Sequence, residues 1–550
     1  MATGILVNYN GCPQSLDALI PDNGLATLAG GLLSKGHKVK ILDYCTIETI
    51  SRMVPEELSS KLKSIYPDLL SILASGSSNL GIFSLIRIGM LKREIEKFRK
   101  KVLKEITEEI TNSAKTLKVD FIGFKLWTGE GFDGSVEIAK NIKRVLPNIK
   151  IFAGGTHVDW FMESIFDYTD IFSVLAYGEG EETIILLAEY SQNKRNLSEI
   201  PNIIYREYGK NIINPMRRID NLDLLPRPEY EKTVYPAMNG DQKLRIIMID
   251  ESRGCPNSCY FCSETRKSGN RWRERNATTI VDSIEEFIRN HHVTNYRFAG
   301  SNTPPNLRRK LAEEIIKRGL KINYAGFGHV RSANSEDYEL LRSSGCLSLA
   351  FGIESGSQEI IDRDINKKVT IEEIKIALKK CKAANILIVA SLIVPCPHDT
   401  KETIEETLKL ITEIHPDAVT LQLPGLIPHT FWEENKEQFG FEPDRDYLKK
   451  IMVYKINFLL PPNLWPPLPY KVTGRSHKEI AKIAMEFFMQ LEKQGVGVGI
   501  SDYLLIIGKV LGKSVAEMRE FNQKAFFMGD HQAIFDLTKQ FNSKTVLLKE

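Results

Sequence analysis

Residues 245–276 read RIIMIDESRGCPNSCYFCSETRKSGNRWRERN, an apolar run followed at once by three cysteines in the spacing C-x3-C-x2-C. RIIMID reads as a buried strand that delivers Cys255, Cys259 and Cys262 on a tight loop at its end. Soft thiolate ligands select zinc or iron, and three of them fit on one such loop. A structural zinc site normally closes with four protein ligands. An iron–sulfur cluster held by three leaves one iron open to a small molecule. A fourth close ligand is missing from this stretch.

Downstream of the loop, further strands are predicted at TNYRFAG (294–300), INYAGFG (322–328), LSLAFGIES (347–355), ILIVASLIV (386–394) and AVTLQLPG (418–425), each separated by a helical pattern. Six βα units make a partial TIM-like barrel, whose active residues line the carboxyl ends of the strands. From about Asp444 the barrel pattern stops. PPNLWPPLPY (461–470) is a proline and aromatic loop, and helical segments follow. That C-terminal region either closes the barrel mouth or is a packing extension.

Upstream, GILVNY (4–9), a helix over 24–35 and KVKILDY (38–44) form a βαβ unit, which favours a parallel sheet wrapped by helices. Ile95, Phe98, Val102, Ile106 and Ile110 fall at helical spacing, so 51–118 reads as a helical insertion. The sheet resumes with VDFIGFKLW (119–127) and KIFAGG (150–155), giving a doubly wound, Rossmann-like α/β domain. In such sheets ligands bind outside the carboxyl ends of the strands, and glycine there lets backbone approach closely. The candidates are Thr128 and Gly129; Gly154, Gly155 and Thr156; and Gly178, Glu179 and Gly180. NIIYREYGKNIIN (202–214) reads as a hairpin, and a proline-containing linker follows it. The expected domains are 1–215 with the insertion at about 51–118, 216–443 for the barrel, and 444–550, mainly helical.

Composition narrows the class. With 550 residues, 42% hydrophobic content and a formal charge of +3, the chain is an ordinary globular protein with nothing that demands nucleic acid. Eight cysteines, three of them clustered, fit a reducing cytosol better than a secreted disulfide framework, so a cytoplasmic location is expected. No signal peptide and no membrane span is predicted.

GCPNSCYFC, with the aromatic Phe261 just before the third cysteine, resembles the defining motif of the radical S-adenosylmethionine (SAM) superfamily. AGGTH (153–157) followed by YGEGEET (177–183) resembles the cobalamin-binding domain found at the N-terminus of many such enzymes. The resemblance implies a [4Fe-4S] cluster on Cys255, Cys259 and Cys262, with SAM chelating the fourth iron. It implies that Gly300, Ser301 and Asn302, in GSNTP, align with the turn that grips the SAM amino group. Glu354, in GIESGS, would contact the SAM ribose, Lys367 would pair with the SAM carboxylate, and Ser391 would be a second ribose contact. VPCPHDT (394–400) aligns with a turn at the adenine edge, with Pro395 and Asp399 replacing its usual glycine and glutamate.

The family's histidine loop after the first strand is replaced here by Asn8–Tyr9–Asn10–Gly11–Cys12, which implies cobalamin bound without a histidine ligand. His157 reads as a turn residue and Cys12 as a small buried hydrophobe. His329 and Arg331 would face the barrel cavity. Cys346, Cys381 and Cys396 show no spacing for a second cluster.

The expected activity is that of a cobalamin-dependent radical SAM methyltransferase acting on an unactivated carbon. A cyclase or ring-rearranging enzyme of the same family, a polar methyl transfer, and a corrinoid or iron–sulfur sensor are the alternatives. Expected partners are a small-molecule or peptide substrate and an electron donor such as flavodoxin or ferredoxin.

Overall fold

The computed structural model describes residues 1–75, 82–332, 335–457, 459–460 and 462–544. Its first sheet contains β1 (Thr3–Asn8), β2 (Lys38–Asp43), β3 (Phe121–Lys125), β4 (Lys150–Gly154), β5 (Val174–Ala176), β6 (Ile203–Glu207) and β7 (Lys210–Ile213), in the order 2-1-3-4-5-6-7. The strands up to β5 are parallel, and the β6–β7 hairpin adds an antiparallel edge. Chain order reverses between β1 and β3, so the crevice of this doubly wound sheet opens at their carboxyl ends.

Period-two alternation explains how these short runs fill two layers. Leu6, Phe121 and Phe152 face the helix Asn23–Ser34 through Leu25, Ala29 and Leu32. Ile5, Val7, Ile122 and Phe124 face the opposite side, where Val102, Ile106 and Ile110 of the helix Ile82–Leu117 cover them. Along the predicted stripe of that helix Val102, Ile106 and Ile110 are buried, whereas Phe98 is half-buried and Ile95 is 41% exposed.

The second sheet starts with β8 (Ile246–Ile249). A short antiparallel ribbon, β9 (Ser252–Arg253) with β10 (Arg273–Glu274), flanks the cysteine loop. The strands β11 (Asn295–Phe298), β12 (Asn323–Gly328), β13 (Cys346–Glu354), β14 (Leu387–Ile393) and β15 (Ala418–Gln422) follow, and the order is 15-14-13-12-11-8 with every neighbour parallel. Ile247, Ile249, Phe351, Ile388 and Ala390 point outward into a layer containing Ile280, Leu311, Ile374 and Leu410 of the surrounding helices.

The concave side of this sheet is filled from the C-terminal region. Ile246, Ala350, Val389 and Ala418 pack on Leu504, Leu505 and Ile507 of the helix Asp502–Leu511. Full burial of each such side chain contributes about 1.5–3 kcal/mol. Arg297, on β11, points the same way. Its Nε donates to Asp502 at 2.7 Å, and its guanidinium lies 4.3 Å from the centre of the Phe327 ring. From sequence this region is expected to close the barrel mouth or to be a packing extension. The structure gives its helix a third role, a floor for the barrel.

The helix His531–Lys544 also reaches the first strand of this sheet. Asn542 accepts the Arg245 N–H at 2.8 Å and donates to the Lys243 carbonyl at 2.9 Å. No helix among the described residues is long and apolar enough to cross a membrane.

Candidate active site

The cysteine loop leaves the carboxyl end of β8 and is walled by segments far away in the chain. The Tyr260 N–H donates to the Ile365 carbonyl at 2.9 Å, and the Asn366 amide donates to the Ser258 carbonyl at 3.0 Å. The Trp432 N–H donates to the Tyr260 carbonyl at 3.0 Å, and the Trp432 indole N–H donates to the Asp364 carbonyl at 2.7 Å. Tyr260 stacks on Phe431 with 4.1 Å between ring centres, and Phe261 leans on Trp432. Phe261 therefore lines the outer wall of the loop. Within the loop the Glu264 N–H points at the Cys262 sulfur, 3.4 Å away, and the Asn257 amide at the Cys255 sulfur, also 3.4 Å away.

The thiols feel one another electrostatically. Burial pushes the Cys262 thiol up to about 12, with Cys259 and Cys255 adding to the shift. Burial also raises Cys259, against the pull of Lys367. Thiols raised in this way stay protonated until a metal stabilises their thiolates. Among the described residues no three His, Cys, Asp or Glu side chains converge closely enough on one point to hold a single ion. Three thiols on one loop suit a cluster, in which each sulfur meets a different iron.

Around the loop the sequence-predicted residues gather at the carboxyl ends of the strands. Glu251 is fully buried at the end of β8; it accepts the Gly300 N–H at 3.0 Å on one oxygen and the Thr303 hydroxyl at 2.6 Å on the other. A Cβ on Gly300 would lie 2.4 Å from the Glu251 carboxylate, so only glycine permits this approach. The turn it fixes exposes Ser301 and buries Asn302, whose amide nitrogen lies 4.0 Å from the Cys255 sulfur. Glu251 is a site residue that sequence reasoning missed; its signal is the second acid of the Asp250–Glu251 pair directly before the SRGC stretch.

On β13, Glu354 ends the strand in a left-handed conformation (φ 67°), uncommon for a residue other than glycine. Its Oε1 lies 3.2 Å from the Lys367 Nζ, and both side chains are buried. Burial works against the Lys367 charge, yet Glu354 and Cys259 outweigh it and hold the ammonium above its usual range. Ser391, half-buried on β14, pairs with Gly352 across the sheet. His329 lies close enough to Lys367 to feel its charge. Burial, helped by Lys367 and Arg331, pushes it down to about 3, so it is neutral at physiological pH. Arg331 is exposed. Cys346, Cys381 and Cys396 are fully buried.

The first sheet presents its own strand ends to this region. Gly154, Gly155 and Thr156 at β4, and Gly178 and Gly180 after β5, are partly exposed; Gly155 (φ 101°) and Gly178 (φ 67°) use the left-handed region that glycine favours. Such bare backbone fits a large planar ligand. Thr128 is exposed, whereas Gly129 is buried under the backbone of Tyr454 and Lys455, 2.7 Å from where its Cβ would be. Glu179 is almost fully buried against Arg273.

His157 is fully buried between the rings of Phe132 and Phe161, 4.3 and 4.7 Å away, with neither ring nitrogen bonded. It is packed as a core side chain. At the β1/β3 switch point the Trp127 indole N–H donates to Asn8 at 2.7 Å, and the Lys125 Nζ lies 4.4 Å over the Trp127 ring. Asn8 opens the loop that stands in place of the family's histidine loop, whereas Lys125 and Trp127 read from the sequence as parts of a strand.

Comparison with known proteins agrees with this architecture. The Radical SAM superfamily matches residues 251–411 and the B12 binding domain matches residues 94–188. A Pyrococcus horikoshii protein described as an uncharacterized methyltransferase is 27% identical over 342 residues, 60% of this chain and 74% of that protein. The anaerobic magnesium-protoporphyrin IX monomethyl ester cyclase of Rubrivivax gelatinosus is 28% identical, over 62% of this chain and 62% of that enzyme, so the chain spans less than two thirds of the cyclase. Among solved structures the radical SAM methyltransferase TsrM from Kitasatospora setae, with cobalamin and a [4Fe-4S] cluster bound, superposes with a TM-score of 0.62 at 16% identity, covering 97% of this chain and 99% of that one. That likeness speaks to the fold. The chain thus carries a B12-binding domain followed by a radical SAM domain, the pair of domains whose cofactors are cobalamin, a [4Fe-4S] cluster and SAM.

Proposed function

We propose that the chain is a methyltransferase that methylates an unactivated carbon of a small-molecule or peptide substrate, drawing electrons from a small redox protein such as flavodoxin or ferredoxin. The observation that carries the reading is the juxtaposition of the two sheets. The loop after β5 of the B12-binding domain is ion-paired directly to the ribbon beside the cysteine loop. Sites at those two places share one region between the sheets.

When bound, the cluster and SAM supply reductive cleavage of the sulfonium, and cobalamin supplies a transferable methyl group. The residues of the chain hold and orient these groups. Cys255, Cys259 and Cys262 are the cluster ligands. The backbone of Gly300, Ser301 and Asn302 meets the amino end of SAM, Lys367 its carboxylate, and Glu354 and Ser391 its ribose hydroxyls. Gly154, Gly155, Thr156, Gly178 and Gly180 offer backbone to the corrinoid. The floor helix Asp502–Leu511 excludes water from the N-terminal half of the barrel.

The cyclase relative supports a second reading, a radical rearrangement without methyl transfer. One anaerobic experiment separates the two. Reconstituted protein given SAM and dithionite should release 5′-deoxyadenosine, and its spectrum should carry both cluster and corrinoid bands. With a candidate substrate and SAM labelled in its methyl group, label in the product supports methyl transfer, and unlabelled rearranged product supports the cyclase reading. Replacement of all three loop cysteines by alanine should abolish cluster absorbance; retained absorbance refutes the ligand set.

A further inference from the structure

Glu179 lies in the loop after β5, on the B12-binding side. Its carboxylate is nevertheless held by the other domain: Arg273 grips both of its oxygens, one at 3.1 Å, with both side chains 6% exposed. The Ile219 N–H donates to the same carboxylate at 2.6 Å. Arg273 sits on β10, and its second terminal nitrogen also donates to the Ser268 carbonyl at 2.8 Å. The next carbonyl, that of Gly269, accepts the Cys255 N–H at 3.2 Å. Arg273 therefore grasps the B12-side loop and the back of the cysteine loop at once.

A parallel arm runs beside it. Arg253, paired with Arg273 across the ribbon, bonds Glu181 from the same B12-side loop and Asp250 at the end of β8. Only Gly254 separates Arg253 from Cys255. A Cβ on Gly254 would lie 2.1 Å from the Arg271 carbonyl, so this corner has no room to move independently of the ribbon.

From this geometry we infer that Glu179 and Arg273 are positioning residues that couple corrinoid occupancy to the geometry of the cysteine loop. A ligand that shifts Gly178 and Gly180 moves Glu179 between them, and the guanidinium transmits the displacement to Ser268, Gly269 and Cys255. Charge-assisted, bidentate Arg–carboxylate bonds are stiff enough for this task, and both ends are buried where solvent screens little. The inference rests on the reading that these two places hold cobalamin and the cluster. Coupling is reciprocal, so the same relay makes SAM on the cluster sense the corrinoid.

The test uses the full-length, cluster-reconstituted protein with hydroxocobalamin as the probe. The electron paramagnetic resonance signal of the reduced cluster and the Kd for SAM are recorded with and without the corrinoid. In the parent protein, hydroxocobalamin should alter the signal and change the SAM Kd at least fivefold, the low end of the range of about 5–150-fold common for coupled sites. Glu179→Gln keeps one acceptor oxygen, enough for the Ile219 N–H, but removes the charge and sets an amide NH2 against one arm of the Arg273 fork. It should retain iron content and corrinoid binding while the SAM Kd becomes indifferent to the corrinoid.

Arg273→Lys keeps a cation beside Glu179 but cannot also reach Ser268. It should lose the coupling in the same way, and it decides the question if Glu179→Gln does not fold. Coupling that persists in a folded variant overturns the inference and leaves these residues as a static clamp. A parent protein that binds both cofactors without coupling overturns it too. A parent protein that binds no corrinoid sinks the cobalamin assignment itself, and the relay with it.

Discussion

The ammonium of Lys367 sits 3.2 Å from the carboxylate of Glu354, although resemblance to the family sends one to the carboxylate of SAM and the other to its ribose. Each residue neutralises the other inside the protein, so under the proposed roles SAM binding would exchange an internal ion pair for two contacts with ligand. Removing one member leaves a buried, uncompensated charge. Lys367→Met should cost roughly 3–5 kcal/mol of stability, as broken buried pairs do, and should abolish SAM binding. Denaturant titration and equilibrium dialysis with SAM check both. Full SAM affinity in the variant would show that Lys367 has no part in the ligand site.

Gly300→Ala would put a methyl group 2.3 Å from the Ser252 hydroxyl and 2.4 Å from the Glu251 carboxylate. Glu251 cannot retreat, because it is fully buried and bonded to both Gly300 and Thr303. The turn must shift instead, at a cost of about 1–3 kcal/mol. SAM affinity should fall while iron content stays unchanged, since the cysteine loop keeps its own walls. Unchanged SAM affinity would place the amino end of SAM elsewhere.

Asp399, in the turn after β14, is 2% exposed and accepts the Cys396 N–H at 2.6 Å and the Thr403 hydroxyl at 2.7 Å. Burial lifts its carboxyl from 3.8 to about 6 despite these bonds. Between those values the folded chain keeps a proton that the unfolded chain has released. Its contribution to stability therefore falls as pH rises through that window and levels off above it. Asp399→Asn should flatten the wild-type slope between about pH 4 and 6 in thermal melts. An identical slope in the two proteins would assign the titration to another group.

His157→Phe should leave the corrinoid spectrum unchanged and the melting temperature equal or higher. It replaces two unbonded ring nitrogens with carbon in a slot already lined by Phe132 and Phe161, and burying an unsatisfied polar group costs about 1–3 kcal/mol. A shifted corrinoid band in the variant would instead make His157 a cobalt ligand.

Features carried by short stretches were legible before any coordinates. Apolar runs such as GILVNY and ILIVASLIV mark β1 and β14 because parallel strands covered on both faces read as nearly continuous apolar stretches, and the three cysteines announce a metal loop by their spacing. Contacts made across the chain were not. Nothing near Glu179 names Arg273 as its partner, 94 positions away, and nothing near Lys367 states that Glu354 faces it. The floor helix had one visible sign, the nearly uniform apolarity of DYLLIIGKVL, since a helix buried on all sides has no polar face to show. Which cavity it would fill is a property of packing, and local sequence does not encode it.

The walls of the cysteine loop come from Ile365, Asn366, Phe431 and Trp432, all made after the loop itself. Because chains emerge from the ribosome N-terminus first, the three thiols are made well before their enclosure exists. Neighbouring bare thiols are open to oxidation and to the wrong metal. Full enclosure of the loop consequently requires the chain to be made past Trp432, and the hold of Asn542 on Arg245 requires nearly all of the chain.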